Sequence, residues 1–131
     1  MPNVLIEVLK QYPMETEKPL MGAVYSALSQ SFKIFPDDRN VRLLAHESHR
    51  FECLPDREAP KFYTYISIDC LAARRIESKR TLYKTIVENL VPFGIYCNYV
   101  KIMHSEIAAE NWGVSGGKAA CDVDLGFEME V

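Results

Sequence analysis

Pro2 follows the initiator methionine directly, and only at a free amino terminus does a proline nitrogen titrate. An initiator Met is normally trimmed when the next residue is small, which would leave Pro2 as a basic secondary amine. A free α-amino group titrates near about 7.7 to 8.0. Neighbouring cations or burial lower that value into the range where a general base works at neutral pH. Pro2 is therefore the first candidate for chemistry, a group that lifts a proton from carbon or returns one. The apolar segment directly behind it, N-V-L-I-E-V, would hold the amine in place instead of letting it fray.

The second candidate is the pair Arg74-Arg75, at the turn between the segment F-Y-T-Y-I-S-I-D and a helical stretch. Two cations opening a helix oppose its dipole, at a cost of about 0.3 to 1 kcal/mol each. An anionic substrate reverses that cost, because guanidinium groups grip a carboxylate bidentately and the free N–H groups of the first turn add donors. A solvated pair balanced by Glu77 is the plainer alternative.

Other reactive side chains point less clearly to a site. His46 and His49 form H-x-x-H, but on a strand they face opposite sides, so no metal site is expected. Cys53, Cys70, Cys97 and Cys121 lie in four separate segments without C-x-x-C spacing, which predicts reduced thiols, mostly buried. Tyr63, Tyr65 and Asp69 share a strand face and could line a pocket. Tyr99 and Trp112 are candidates to reach the site of a neighbouring subunit, although aromatics in a β-rich core more often pack.

The elements that must position these residues follow from periodicity. Val4, Ile6 and Val8 alternate with Asn3, Leu5 and Glu7, as in a strand. Leu20, Val24, Leu28 and Phe32 form the stripe of an amphipathic helix, with Thr16 as expected N-cap and Pro19 in its first turn. N-V-R-L-L-A-H reads as a second strand, and residues 47–61 as a loop with a short strand around Phe51. The order then repeats: strand 62–69, a helix from Arg74 to Leu90, and the strand N-Y-V-K-I-M-H. Ile6 and Val8 precede Ile66 and Ile68 by 60 positions, and Val41 and Leu43 precede Val100 and Ile102 by 59. Each half, about 2–50 and 61–108, is a β-α-β unit.

Right-handed crossovers would make the strands of each unit parallel and set both helices on one face of a four-stranded mixed sheet. The other face would then be covered by further subunits. The tail 109–131, with Gly113, Gly116 and Gly117 before D-V-D-L-G-F-E-M-E-V, reads as a closing strand or hairpin.

The chain's 131 residues, 48% hydrophobic and 25% charged, fit one α/β (α+β) domain. Its net charge of −3 offers no basic footprint for nucleic acid. No segment reaches the ~20 apolar residues of a membrane helix, and none resembles a signal peptide. A cytoplasmic location is expected.

The Met-Pro-strand opening, the doubled β-α-β plan and the segment A-R-R-I-E-S-K resemble the tautomerase superfamily, the 4-oxalocrotonate tautomerase-like proteins. The length and the segments P-D-D-R-N-V-R-L-L and E-N-W-G-V-S-G-G resemble its fused-subunit branch, which includes malonate semialdehyde decarboxylase. The resemblance implies a homotrimer with the amino-terminal proline at a subunit boundary, acting on small keto, enol or unsaturated carboxylic acids without metal or other cofactor. It implies a general base in tautomerisation, or a charged acid in decarboxylation, hydration or dehalogenation. By position Arg74 matches the family's substrate arginine, Arg75 stands close to a second one, and Asp38 matches the decarboxylase aspartate, though an Asp in P-D-D-R is also an ordinary turn residue. Two departures stand out. Gln11, Tyr12 and Pro13 replace any arginine in the first half, and the water-activating glutamate of the dehalogenases has no certain counterpart, although Glu106 and Glu110 lie in that region. A protein-binding trimer, as in the cytokine members of the superfamily, is the rival reading.

Overall fold

Strand β1 (Asn3–Val8) buries Val4, Ile6 and Val8 and leaves Asn3, Leu5 and Glu7 partly exposed, the alternation its sequence dictates. The computed structural model describes residues 2–124 apart from 36, 54–57 and 73. Helix α1 (Met14–Phe32) follows, with Leu20, Val24, Ala27, Leu28 and Phe32 on its buried stripe. It starts earlier than the expected Thr16 cap. Pro13 is the N-cap, and its carbonyl accepts the Thr16 N–H at 2.9 Å. Pro19 therefore lies inside the helix, where it removes the N–H that would bond Glu15; Glu15 is exposed, so water can serve its carbonyl.

Strand β2 (Val41–Ala45) runs parallel to β1, and strand β3 (Thr64–Leu71) runs antiparallel to it. Helix α2 (Ile76–Leu90) buries Leu82, Ile86 and Leu90 and leads through a 3-10 turn at Cys97–Tyr99 into β4 (Val100–Ile107), parallel to β3. The sheet order is β2-β1-β3-β4. Two parallel β-α-β units thus meet at an antiparallel seam, as the internal repeat predicts. Residues in register, such as Ile6, Ile66 and Ile102, share the face under the helices. The two helices are tied where the Asn89 amide donates to the Ala23 carbonyl at 3.0 Å.

Several boundaries differ from those read in the sequence. Residues 62 and 63 are not strand: Pro60–Phe62 forms a 3-10 turn opened by its proline, and β3 continues past Asp69 to Leu71. No strand forms at Phe51; a 3-10 turn occupies Ser48–Arg50, and the Phe51 ring packs 5.2 Å from that of His46 and 6.1 Å from that of Tyr63. Arg74 and Arg75 precede α2, with Arg75 as its N-cap. Near the C-terminus a hairpin forms earlier than the expected strand, between β5 (Gly113–Val114) and β6 (Lys118–Ala119). Gly116 and Gly117 turn it, with φ of 86° and 72°, values open mainly to glycine. Asp122 lies in a 3-10 turn, and the rest of the expected closing strand, residues 125–131, lies outside the described residues.

The second sheet face carries no helix. Leu5, Arg42, Leu44, Tyr65, Ser67, Lys101 and Met103 lie on it by register, and Leu44 and Met103 are 47% and 48% exposed. No helix among the described residues is long and apolar enough to cross a membrane.

Candidate active site

Pro2 is buried at the head of β1. The next residues pin that strand end from both sides: the Val4 N–H donates to the Asn40 carbonyl at 2.8 Å, and the Asn3 amide donates to the Asp69 carboxylate at 3.3 Å. Asn3 pairs with Asp69 and Cys70 with Glu106. Carrying the β1–β3 register one residue further sets Pro2 opposite Cys70, in a row that continues to Glu106. Neighbouring rows face opposite ways, so Pro2, Cys70 and Glu106 belong to the helix-covered face, and Asn3, Asp69 and Ser105 to the uncovered one.

Arg74 enters this end from the β3–α2 connection. It is only 6% exposed, and its guanidinium carbon stands 5.1 Å above the Phe32 ring, a desolvated cation–π contact. Burial lowers its pKa, an effect opposed by Cys70 and Glu106; a guanidinium nevertheless stays charged at neutral pH. Burial pushes the Cys70 thiol up to about 12, while Arg74 pulls it back. Arg74 therefore acts on the buried thiol that the β1–β3 register sets opposite Pro2, which puts Pro2 and Arg74 at one end of the sheet.

His104 completes this side. Its ring meets Phe32 edge-on at 5.7 Å, and burial, followed by Lys79, lowers its pKa, so it is neutral near pH 7. Its buried Nε2 has no hydrogen-bond partner among the described residues. Lys79 of α2 donates to the Glu106 carboxylate.

On the uncovered side of the same strand end a cleft of about 620 Å³ is lined by Asn3, Asn40, Asp69, Asn111, Trp112 and Ser115, among others. The β5–β6 hairpin supplies part of its wall. Carboxamides and the Asp69 carboxylate thus line the cleft, while the buried Arg74 lies on the helix-covered side of the same strand end.

The remaining sequence candidates divide. Trp112 lines the cleft, and Asp38 lies in the segment leading into β2 at this end, its carbonyl accepting the Tyr25 hydroxyl. Arg75 is exposed, so within one chain it does not join Arg74 in a two-armed clamp. Tyr99 lies at the opposite end of β4, where its hydroxyl accepts the Ala59 N–H at 2.9 Å, a packing role within the chain. His46 bonds Glu7 at 3.0 Å, and no group of three or more His, Cys, Asp or Glu able to hold a metal occurs among the described residues. Phe32, Lys79, His104 and Asn40 had no sequence signal, because their meeting depends on the antiparallel register of β1 with β3.

A family model described as "Tautomerase enzyme" matches residues 38–115. The chain is similar to the crystal structure of FG41 malonate semialdehyde decarboxylase inhibited by 3-bromopropiolate, at 26% identity and a TM-score of 0.79, over 90% of this chain and 92% of that one. It is also similar to a malonate semialdehyde decarboxylase described by its decarboxylase and hydratase activities, at 16% identity and a TM-score of 0.80, covering 93% and 99%. A fused 4-OT described as an asymmetric trimer matches at 16% identity and a TM-score of 0.81, covering 92% and 97%. These last two likenesses concern the fold alone. No curated protein sequence matches the chain.

Proposed function

The chain belongs to the tautomerase enzyme family, and we propose that it is a homotrimeric tautomerase in which Pro2 is the general base acting on a small keto or enol carboxylic acid. The observation that carries this reading is the convergence of the buried Pro2 and the buried, cationic Arg74 at one sheet end. In the proposed step the neutral prolyl nitrogen takes a proton from carbon or from an enol oxygen and becomes a secondary ammonium. Arg74 holds the carboxylate and stabilises the enolate charge. The ammonium then returns the same proton at another atom, so nothing is oxidised and no cofactor is consumed. Arg75 joins the clamp from a neighbouring subunit in this reading, and Trp112 closes the apolar side of the cleft.

The test compares ketonisation of phenylenolpyruvate and 2-hydroxymuconate by protein beginning at Pro2, by Pro2→Ala, and by protein retaining Met1. Turnover is expected from the first alone, and equal turnover by all three overturns the mechanism.

A second reading is favoured by the 26% identity to a decarboxylase. Here Pro2 is the ammonium, polarising the aldehyde oxygen of a 3-oxo acid; the bond to the carboxylate breaks, carbon dioxide leaves and the resulting enol takes a proton. Asp38 would face the departing carboxylate. Release of carbon dioxide from malonate semialdehyde, lost in Asp38→Asn, is its distinguishing result.

A further inference from the structure

The cleft beside the head of β1 is built around one carboxylate. Arg42 donates to Asn3 Oδ1 at 3.4 Å; with that oxygen taken, the Asn3 amide turns its nitrogen to Asp69 and donates to Oδ2 at 3.3 Å. This relay fixes which way Asn3 points and holds the Asp69 side chain from one side. The other Asp69 oxygen bonds no described residue, and neither do the side chains of Asn40, Asn111 and Ser115, which line the same cleft. The cleft therefore offers a carboxylate acceptor and several neutral hydrogen-bonding groups. Among its described lining residues Asp69 alone is charged.

We propose that Asp69 sets substrate choice: the cleft takes the end of the substrate remote from the carboxylate held by Arg74, and takes it as an uncharged hydrogen-bonding group, a carboxamide or hydroxyl, in preference to a second carboxylate. The inference rests on the proposed roles of Pro2 and Arg74 and adds which acids the site serves. Asn3 follows Pro2 directly in β1, so an acid that reaches Arg74 on the helix-covered side of Pro2 extends past it towards the cleft on the other. A second carboxylate brought there meets the Asp69 oxygens as a like charge with no proton to share. An amide or hydroxyl donates to Asp69 and accepts from Asn40, Asn111 or Ser115. A site whose buried or half-buried acceptors need a donor discriminates strongly against a ligand without one.

Two cations adjoin the cleft without lining it. Arg39 and Arg42 belong to a neighbouring groove of about 330 Å³ that shares Asn3 and Asn40 with the cleft. Arg39 stands 5.1 Å over the Tyr25 ring. Arg42 is engaged by Asn3, so it reaches the cleft through that amide, orienting the carboxylate without placing a guanidinium donor beside it.

The experiment compares near-isosteric pairs that differ in charge at the remote end: 2-hydroxymuconate and its C6 monoamide for turnover, and fumarate and its monoamide for equilibrium binding by calorimetry. Each pair is read as a ratio within one full-length protein, so a loss common to both members cancels. The wild type is expected to favour each monoamide by about ten-fold or more. Asp69→Asn, which keeps an acceptor for Asn3, should bring the ratios within about three-fold of unity, and Asn111→Asp, away from the strand pairing, should widen them by about ten-fold. Ratios that Asp69→Asn leaves in place, or that both variants move in one direction, overturn the proposal. So does a wild-type preference for the dicarboxylates, which would put the second carboxylate at Arg39 and Arg42, or a fumarate monoamide that does not bind. Turnover by Pro2→Ala is measured in parallel. Binding ratios that shift as expected while Pro2→Ala stays fully active uphold the role of Asp69 and overturn the Pro2 mechanism. Ratios that stay while turnover requires Pro2 do the reverse.

Discussion

At the residue scale the proposed site rests on one buried cation. Arg74 stacks on Phe32, so its stem and ring contacts are set before any substrate arrives, and less side-chain entropy is lost on binding than at an exposed arginine. Charge-assisted hydrogen bonds to such a group contribute about 1.5 to 3 kcal/mol. Arg74→Ala should therefore raise KM for carboxylate substrates by roughly 10- to 100-fold, and Arg74→Lys should recover only part of the loss because the planar fork is gone. Steady-state kinetics check this, and an unchanged KM removes Arg74 from the proposed clamp. Both arginines are plain in the sequence as A-R-R-I-E-S-K. That one is buried and its neighbour exposed follows from the turn into α2, where Arg75 takes the N-cap.

At the element scale, α1 holds both the floor beneath Arg74 and the loop that carries Asp38. The buried Tyr25 hydroxyl donates to the carbonyls of Phe35, at 2.9 Å, and Asp38, while Arg39 lies 5.1 Å over its ring. Tyr25→Phe removes that anchor and should cost about 1 kcal/mol in denaturant unfolding. Burial, reinforced by Asp38, raises the Tyr25 pKa from 10.0 to about 12. The unfolded chain then loses this proton before the folded one does, so its contribution is complete below about pH 10 and disappears as pH rises towards 12. Alkaline unfolding should accordingly be less steep between those values in Tyr25→Phe than in the wild type. Phe32→Ala should cost about 3 to 5 kcal/mol and weaken substrate binding too, because the same ring packs the core and carries Arg74.

At the scale of the whole molecule, the uncovered sheet face is the feature that one chain does not explain. Leu44 and Met103 are about half exposed on it, between Arg42, Lys101 and Glu7, a mixture that suits a subunit boundary with its own ion pairs. If the chain assembles as the proposed trimer, Met103→Lys should lower the sedimenting mass towards that of the monomer and reduce turnover together, since the site would lose its neighbour. A Met103→Lys protein that stays monodisperse at the wild-type mass places the boundary elsewhere.

The paired β-α-β plan was legible in the sequence because alternation and the helical stripe are local properties, and the repeat at 59 or 60 positions aligned the core residues of the two halves. Pro2 and Arg74 stood out as candidates for a different reason: a proline directly after the initiator Met and two cations at a helix start are unusual whatever surrounds them. The ends of the elements were less so, since Pro13, Pro60 and the 3-10 turns settle them through hydrogen bonds that periodicity does not record. Only tertiary structure decided the rest. One antiparallel pairing, Asn3 with Asp69, brings Cys70, His104 and Glu106 to the head of β1, and a register shift of one residue would have turned each of them to the other face.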